Sequence, residues 1–383
     1  MQSRIYLDHA ATTPLDKSVL EKITPYLTSV FGNADSPHAE GRKAMAAIDE
    51  ARDKIARLLN AKSNEIYFTS GGTESDNFAC LGAARAKKKE GKTQVILSSI
   101  EHHAVRFAGE ILHKEGFQVD YIPVNEGGRV ALNALKALLS EKTALVAVMG
   151  ANNETGAMQP IQECADLAHE VGALFFCDAV QLAPYHSIDV QALGVDLLSI
   201  SSHKFYGPKG CGALYIKNGT KIEKLVGGGE QERGMRGGTL NVAAIVGMAF
   251  AYEKARENMQ ENNEKIRALS QLFMQRLTVL NGVERNGETQ ENGALPSILN
   301  LRFQGVENTS LLYNMDLKGV SLAAGSACSS ASIKPSHVLT AMGLSEKQAK
   351  ESVRISLGKD NTQEEILQAT EILVEIVQKL RNN

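Results

Sequence analysis

The sequence predicts an α/β protein organised around a mostly parallel sheet. Through the first two-thirds of the chain, short apolar runs alternate with helical patterns, the signature of strand–helix–strand units. The chain is also long, 383 residues, and ordinary in composition, 43% hydrophobic and 22% charged. That length suggests roughly two or three domains, and that composition rules out a mainly disordered chain.

Taken in order, residues 65–69 (EIYFT) read as a buried strand, and Ser70-Gly71-Gly72-Thr73 turns the chain into a helix over 74–89. Residues 94–98, 118–123 and 144–148 are further strand-length apolar runs, and helical patterns over 105–115, 131–139 and 161–171 separate or follow them. Residues 173–177 and 197–201 continue the series. Sheets of this kind bind ligands at the carboxyl ends of their strands. The rhythm changes near 234–239. A long helix is expected over 242–281, a polar Gly- and Asn-rich loop over 282–293, and short strands at 297–303, 320–322 and 351–357. A final amphipathic helix is expected over 362–380, where Thr362 followed by Glu365 has capping-box spacing. This last third reads as a smaller α+β unit.

Charge and cysteine usage exclude several classes of function. Lys+Arg 41 against Asp+Glu 44 leaves a formal charge of -3, so no field favours nucleic acid or an anionic membrane as partner. Trp is absent and aromatic residues make up 5%, which disfavours base-stacking surfaces. No stretch reaches the roughly 20 apolar residues of a membrane span. The N-terminal MQSRIYLDHAATTP has no apolar signal core, so the expected location is the cytoplasm. Cys80, Cys164, Cys177, Cys211 and Cys328 are scattered and form no CxxC pair. Neither a disulfide framework nor a metal site is expected.

Three strand-end segments carry candidate chemistry. Ser70-Gly71-Gly72-Thr73-Glu74 opens a helix, where unpaired backbone N–H groups and the helix dipole attract a phosphate. Gly72 would let the backbone approach and Thr73 would add a hydroxyl donor; taken alone, the segment reads first as an ordinary strand–helix turn. Asp178, directly after an apolar strand, would serve as a metal ligand, a helix cap or a partner to a cationic ring nitrogen. Lys204, in Ser201-Ser202-His203-Lys204, also follows a strand, where partial desolvation frees an amine for imine formation. Anion cradle, carboxylate and amine together match the three handles of pyridoxal phosphate: its phosphate, its ring nitrogen and its aldehyde.

The chain resembles the pyridoxal-phosphate-dependent cysteine desulfurases of the NifS/IscS type, in the class V aminotransferase family. The resemblance runs over nearly the whole length. It is carried by Tyr6-Leu7-Asp8-His9-Ala10-Ala11-Thr12-Thr13-Pro14, Thr69-Ser70-Gly71-Gly72-Thr73-Glu74-Ser75, Glu101-His102-His103-Ala104-Val105 and Asn152-Asn153-Glu154-Thr155-Gly156. It continues through Asp178-Ala179-Val180-Gln181, Ser201-Ser202-His203-Lys204, the segment 233–239 and Gly325-Ser326-Ala327-Cys328-Ser329-Ser330.

The resemblance implies an aminotransferase-like fold of type I: a large domain with a mostly parallel seven-stranded sheet, residues 15–255, and a small α+β domain, residues 1–14 and 256–383. The small domain would carry a cysteine loop at about 323–335. Lys204 would form the Schiff base with the cofactor. Gly72, Thr73, Ser201 and His203 would hold its phosphate, with Thr239 reaching across from the second subunit of a homodimer. Asp178 would pair with the ring nitrogen, Gln181 would bond the phenolic oxygen, and His102 would stack on the ring and assist proton transfer. Asn153 and Arg354 would bind the substrate carboxylate; the alternation in Ser352-Val353-Arg354-Ile355-Ser356 puts Arg354 on the face opposite Val353 and Ile355.

The implied reaction converts L-cysteine to L-alanine through a ketimine of the cofactor. Cys328 takes the sulfur as a persulfide and passes it to an acceptor protein, in iron–sulfur cluster or tRNA-thiolation pathways. The acceptor would be a scaffold, a tRNA thiolase or a carrier. A selenocysteine lyase or β-elimination lyase would need the same cofactor residues without Cys328. A regulatory relative would be marked by loss of Lys204, Cys328 or Arg354, and all three are present.

Overall fold

The computed structural model describes residues 4–288, 293–325 and 335–382. The chain enters through a short strand, β1 (Ile5–Tyr6), then α1 (Lys17–Thr28) and α2 (Ala39–Leu58). Asp16 caps α1 by accepting from the Ser18 N–H. α2 buries Ala44, Ile48, Ala51 and Ile55 at helical spacing.

The predicted alternation follows as β2 (Ile66–Thr69), α3 (Gly72–Lys88), β3 (Gln94–Ser98), α4 (His103–Lys114), β4 (Gln118–Ile122) and α5 (Leu132–Leu138). It continues with β5 (Thr143–Ala147), α6 (Ile161–Glu170), β6 (Leu174–Asp178), β7 (Leu197–Ser201) and β8 (Gly212–Ile216). These strands form one seven-stranded sheet in the order β2-β8-β7-β6-β5-β3-β4. Only β8 runs against its neighbours, β2 and β7; the remaining pairings are parallel.

Residues 145–148 and 175–177 alternate between two cores, Val146, Val148, Phe175 and Cys177 facing one side and Leu145, Ala147 and Phe176 the other. A sheet covered on both faces explains why its central strands are apolar throughout. The parallel arrangement brings the ends of β2, β6 and β7 (Thr69, Asp178 and Ser201) to one edge.

Two expectations for the last third need correction. The helix predicted over 242–281 is two helices, α7 (Val242–Glu257) and α8 (Met259–Arg276), followed by a single 3-10 turn. They part at Asn258, whose φ of -99° and ψ of 9° leave helical geometry and whose side-chain N–H donates to the Lys254 carbonyl. An Asn that bonds nearby backbone competes with the helix ladder. Residues 282–293 are not all loop, because β9 (Val283–Asn286) pairs antiparallel with β10 (Ile298–Phe303). As an edge strand with a wet face, β9 has a polar sequence that hides it from an apolar-run search.

The chain ends with α9 (Asn308–Leu317), β11 (Val320–Ser321), α10 (His337–Ala341), α11 (Glu346–Lys350), β12 (Ser352–Ser356) and α12 (Gln363–Arg381). Thr362 and Glu365 form the expected capping box at α12. β12, β10 and β9 make a three-stranded sheet, and β1 pairs in parallel with β11. A separate core of Leu7, Phe273, Leu301, Phe303, Ile355 and Leu373 lies on this sheet. No helix among the described residues is long and apolar enough to cross a membrane.

Candidate active site

The strand ends of the large sheet open into a cavity of about 270 Å³. On one side lies the start of α3. Gly71 takes φ +151°, a conformation that disfavours any side chain. A Cβ on Gly72 would come within 2.9 Å of Val180 Cγ2. No side chain caps α3, so its first N–H groups are left for another acceptor. Gly72, Thr73, Ser201 and His203 all line this end of the cavity. Ser201 Oγ is buried and has no hydrogen-bond partner among the described residues. His203 Nδ1 lies 3.0 Å from Thr12 Oγ1, and burial together with Lys204 and Lys209 lowers its pKa to about 4.

Asp178 and Gln181 form the floor. Asp178 is 4% exposed and accepts from the Val180 N–H at 2.9 Å. Burial pushes its carboxyl up, while the Val180 amide and the Lys204 charge pull it down. Gln181 is fixed by donating to the Ala10 carbonyl at 2.8 Å. Lys204, on the 3-10 turn after β7, is partly buried and donates to the carbonyls of Ala10 and Ala11 at 2.5 and 2.9 Å.

His102 caps α4, its Nδ1 accepting from the Ala104 N–H at 3.2 Å. An accepting Nδ1 leaves the ring proton on Nε2 of a neutral imidazole. Burial first, then Lys204 and His103, holds its pKa down at about 4.

The far wall belongs to Asn153 and Arg354. Arg354 is 1% exposed. Its Nη1 donates to the carbonyls of Asn153 and Gly325, its Nη2 donates to Asp8 Oδ1, and its Nε is buried without a partner among the described residues. A guanidinium with two of its five N–H donors, one on Nε and one on Nη2, unspent among the described residues fits a carboxylate. Gly325 and His337, which flank residues 326–334, also line the cavity. Cys328 lies outside the described residues.

Thr239 is exposed and does not line the cavity. Its segment is anchored by Glu232, which accepts from both Nη atoms of Arg52 at 2.8 and 2.6 Å and from the Phe68 N–H. Glu232 and Arg233 both hold positive φ, 47° and 57°, a strained pairing for non-glycine residues that such contacts sustain.

Asp8 and Asp76 are site residues that the sequence reading passed over. Asp8 sits inside a recognised motif, yet nothing in its neighbours signals a contact with Arg354. Asp76 falls one turn after Thr73 and lines the same cavity; helical spacing from the phosphate turn was the available signal.

The donor set fits pyridoxal phosphate. Uncapped amides and an unpartnered Ser201 hydroxyl suit a phosphate, Asp178 suits a protonated ring nitrogen, and Lys204 suits an aldehyde. A sheet, a cradle and a lysine so arranged define the class: an aminotransferase-like enzyme of fold type I. The family described as Aminotransferase class-V matches residues 5–368. "Cysteine desulfurase IscS" from Clostridium botulinum is 45% identical over 382 residues, covering 100% of this chain and 96% of that protein. The protein of the same name from Dictyoglomus turgidum is 46% identical, again covering 100% of this chain and 96% of its own. A solved structure described as a NifS-like protein superposes with a TM-score of 0.91 at 36% identity, covering 99% of this chain and 100% of that one. The chain belongs to the class-V aminotransferase family and, within it, to the cysteine desulfurases.

Proposed function

We propose that this enzyme is a homodimeric, cytoplasmic cysteine desulfurase that uses pyridoxal phosphate and Cys328 to turn L-cysteine into L-alanine and protein-bound sulfur. The observation that carries the reading is the convergence of Lys204, Asp178, the α3 cradle and Arg354 on one cavity, in a chain 45% identical to a cysteine desulfurase. Residues 15–255 would form the cofactor-binding domain, and 1–14 with 256–383 the small domain; the separate core under β10 and β12 supports that division.

When bound, the cofactor supplies an electron sink that weakens the substrate's Cα–H bond and then its Cβ–S bond. Gly72, Thr73, Ser201 and His203 would hold its phosphate and Gln181 its phenolic oxygen. Asp178 would keep the ring nitrogen protonated. The Arg354 fork and Asn153 would bind the substrate carboxylate, which orients the Cα–H bond. Lys204 Nζ would remove the α-proton and return it during the reaction. His102 would lie against the ring with a proton held at Nε2.

Cys328 thiolate would attack the substrate sulfur. The S–S bond forms as the C–S bond breaks, the electron pair leaves on carbon, and that carbon takes a proton to give alanine. The four other cysteines support this assignment. Cys80, Cys164, Cys177 and Cys211 are all buried, and burial raises every one of their thiol pKa values, those of Cys164 and Cys211 to about 12. Buried thiols of that kind are poor nucleophiles.

Thr239 would complete the phosphate site of a second subunit, consistent with its exposure here. The persulfide sulfur would pass to an acceptor protein serving iron–sulfur assembly or tRNA thiolation.

The test is alanine formation from L-cysteine on cofactor-loaded protein, with and without a thiol reductant, alongside intact mass. Many turnovers with reductant, stalling without it, and a one-sulfur mass gain are expected. Pyruvate as the product would assign elimination chemistry instead.

A further inference from the structure

We propose that Asp76 is a positioning residue of this site: a carboxylic acid that keeps its proton beside Asp178, so that a single negative charge faces the cofactor ring nitrogen. The ring nitrogen belongs to the functional reading above; the proton on Asp76 concerns the protein alone.

The geometry begins with strand register. Asp178 on β6 pairs with Ser199 on β7, and paired residues on neighbouring strands point to the same face. The Ser199 hydroxyl donates to Asp76 Oδ1 at 2.6 Å. Asp76 and Asp178 both line the cavity and are 1% and 4% exposed. Two carboxyl groups therefore share one buried corner between α3 and the sheet.

The surrounding charges decide where the proton sits. Asp178 of β6 and Glu101, in the connection between β3 and α4, are the carboxyl groups acting on Asp76, and burial followed by the Asp178 charge pushes Glu101 up as well. The thiols of Cys80 on α3 and Cys177 on β6 feel the same carboxyls and stay neutral. The nearby cations act elsewhere, Lys204 on Asp178 and Arg106 on Glu101. Asp178 has a backbone N–H and the Lys204 charge to favour its ionised form, whereas Asp76 has the Ser199 hydroxyl. Carboxylates confined together without a cation between them do not both ionise. The proton falls on Asp76, as burial and the Asp178 charge both push its pKa up. Were Asp76 charged, two negative charges would face one ring cation.

The test uses the full-length protein. Infrared difference spectra of cofactor-free wild type and Asp76→Asn at neutral pH should show loss of the carbonyl stretch of a protonated carboxyl. In titrations with pyridoxal phosphate, Asp76→Asn, which keeps shape and neutrality, should hold Kd within about twofold and leave the pH dependence of the bound absorbance in place. Asp178→Asn should weaken Kd by about tenfold or more, equivalent to one pKa unit of lost charge pairing. A difference spectrum without a protonated-carboxyl band, or an Asp76→Asn Kd as weak as that of Asp178→Asn, overturns the proposal. Should Asp76→Asn fail to fold, Ser199→Ala must shift the same band, and an unshifted band is equally fatal. If wild type itself does not bind the cofactor, the functional reading fails while the infrared result still locates the proton.

Discussion

Arg354 donates through Nη2 to Asp8 Oδ1 at 2.7 Å, joining β12 to a segment 346 residues earlier in the chain. The side chains are 2% and 18% exposed. Asp8 thus spends one side of a buried guanidinium and fixes the plane of the rest. Arg354→Ala should raise KM for cysteine by more than tenfold, from loss of the carboxylate fork. Asp8→Asn should raise KM by about tenfold, or about 1.4 kcal/mol, with a smaller change in kcat. Steady-state kinetics check both; unchanged KM in Asp8→Asn would mean that other contacts alone hold Arg354.

Lys204→Ala should abolish the visible absorbance of the cofactor–lysine linkage, because among the described residues Lys204 is the lysine that lines the cavity. An absorbance spectrum unchanged from wild type would move that linkage to another residue.

Cys328 should account for fast thiol chemistry in the folded state. One thiol is expected to react quickly with an alkylating reagent, and all five only after denaturation. Cys328→Ser should retain cofactor binding yet lose both the fast labelling and the persulfide mass gain. Rapid labelling of the variant would show that one of the buried cysteines is accessible.

His102, His203 and His337 all titrate near 4, depressed mainly by burial. Their ordinary value is 6.5, so the unfolded chain binds protons that the folded chain refuses. The stability this contributes is present above about 6.5 and is lost as pH falls towards 4. Urea denaturation across that window should show the decline. NMR titration of cofactor-free protein should place His102 near 4, and Lys204→Ala should raise it by removing a nearby positive charge. A His102 pKa that stays put in the variant would remove Lys204 as a cause.

Asp16 joins Lys254 of α7 to Lys359 beyond β12, a link between the two cores. Burial alone would raise its pKa, but the hydrogen bonds from Lys359, Ser18 and Lys254 hold it well below the carboxylate range. Its contribution is present above the unfolded pKa and is lost as pH falls through the lower folded one. Asp16→Asn should cost about 2 kcal/mol near neutral pH, less in strong acid. Equal destabilisation at both pH values would assign the loss to packing.

The legibility of the fold followed burial only where a flanking helical pattern set the strand apart. β3, β5, β7 and β8 are buried throughout, and β3 and β7 have the bounds their apolar runs predict. β8 went unread because it lies directly after the Lys209-Gly210 turn, where no helical pattern sets it apart. α1 and α2 were also missed: their apolar positions are spaced at helical period among many charges and give no continuous run. The Asn258 break in the 242–281 helix depends on one side chain choosing a backbone carbonyl, which periodicity does not report.

The sequence by itself determined the alternating architecture and nominated Lys204, Asp178 and the Gly71-Gly72-Thr73 turn, because these stand in local motifs at strand ends, while His102 and Arg354 were nominated by the resemblance to a known family. The tertiary structure decided what those motifs meet. It set Asp8 against Arg354, Ser199 between Asp76 and Asp178, and Ala10 and Ala11 over Lys204. The physical reason is range. Helix and strand signals repeat over a few residues, whereas the charge and desolvation at a buried side chain are set by groups that only folding brings within a few ångströms.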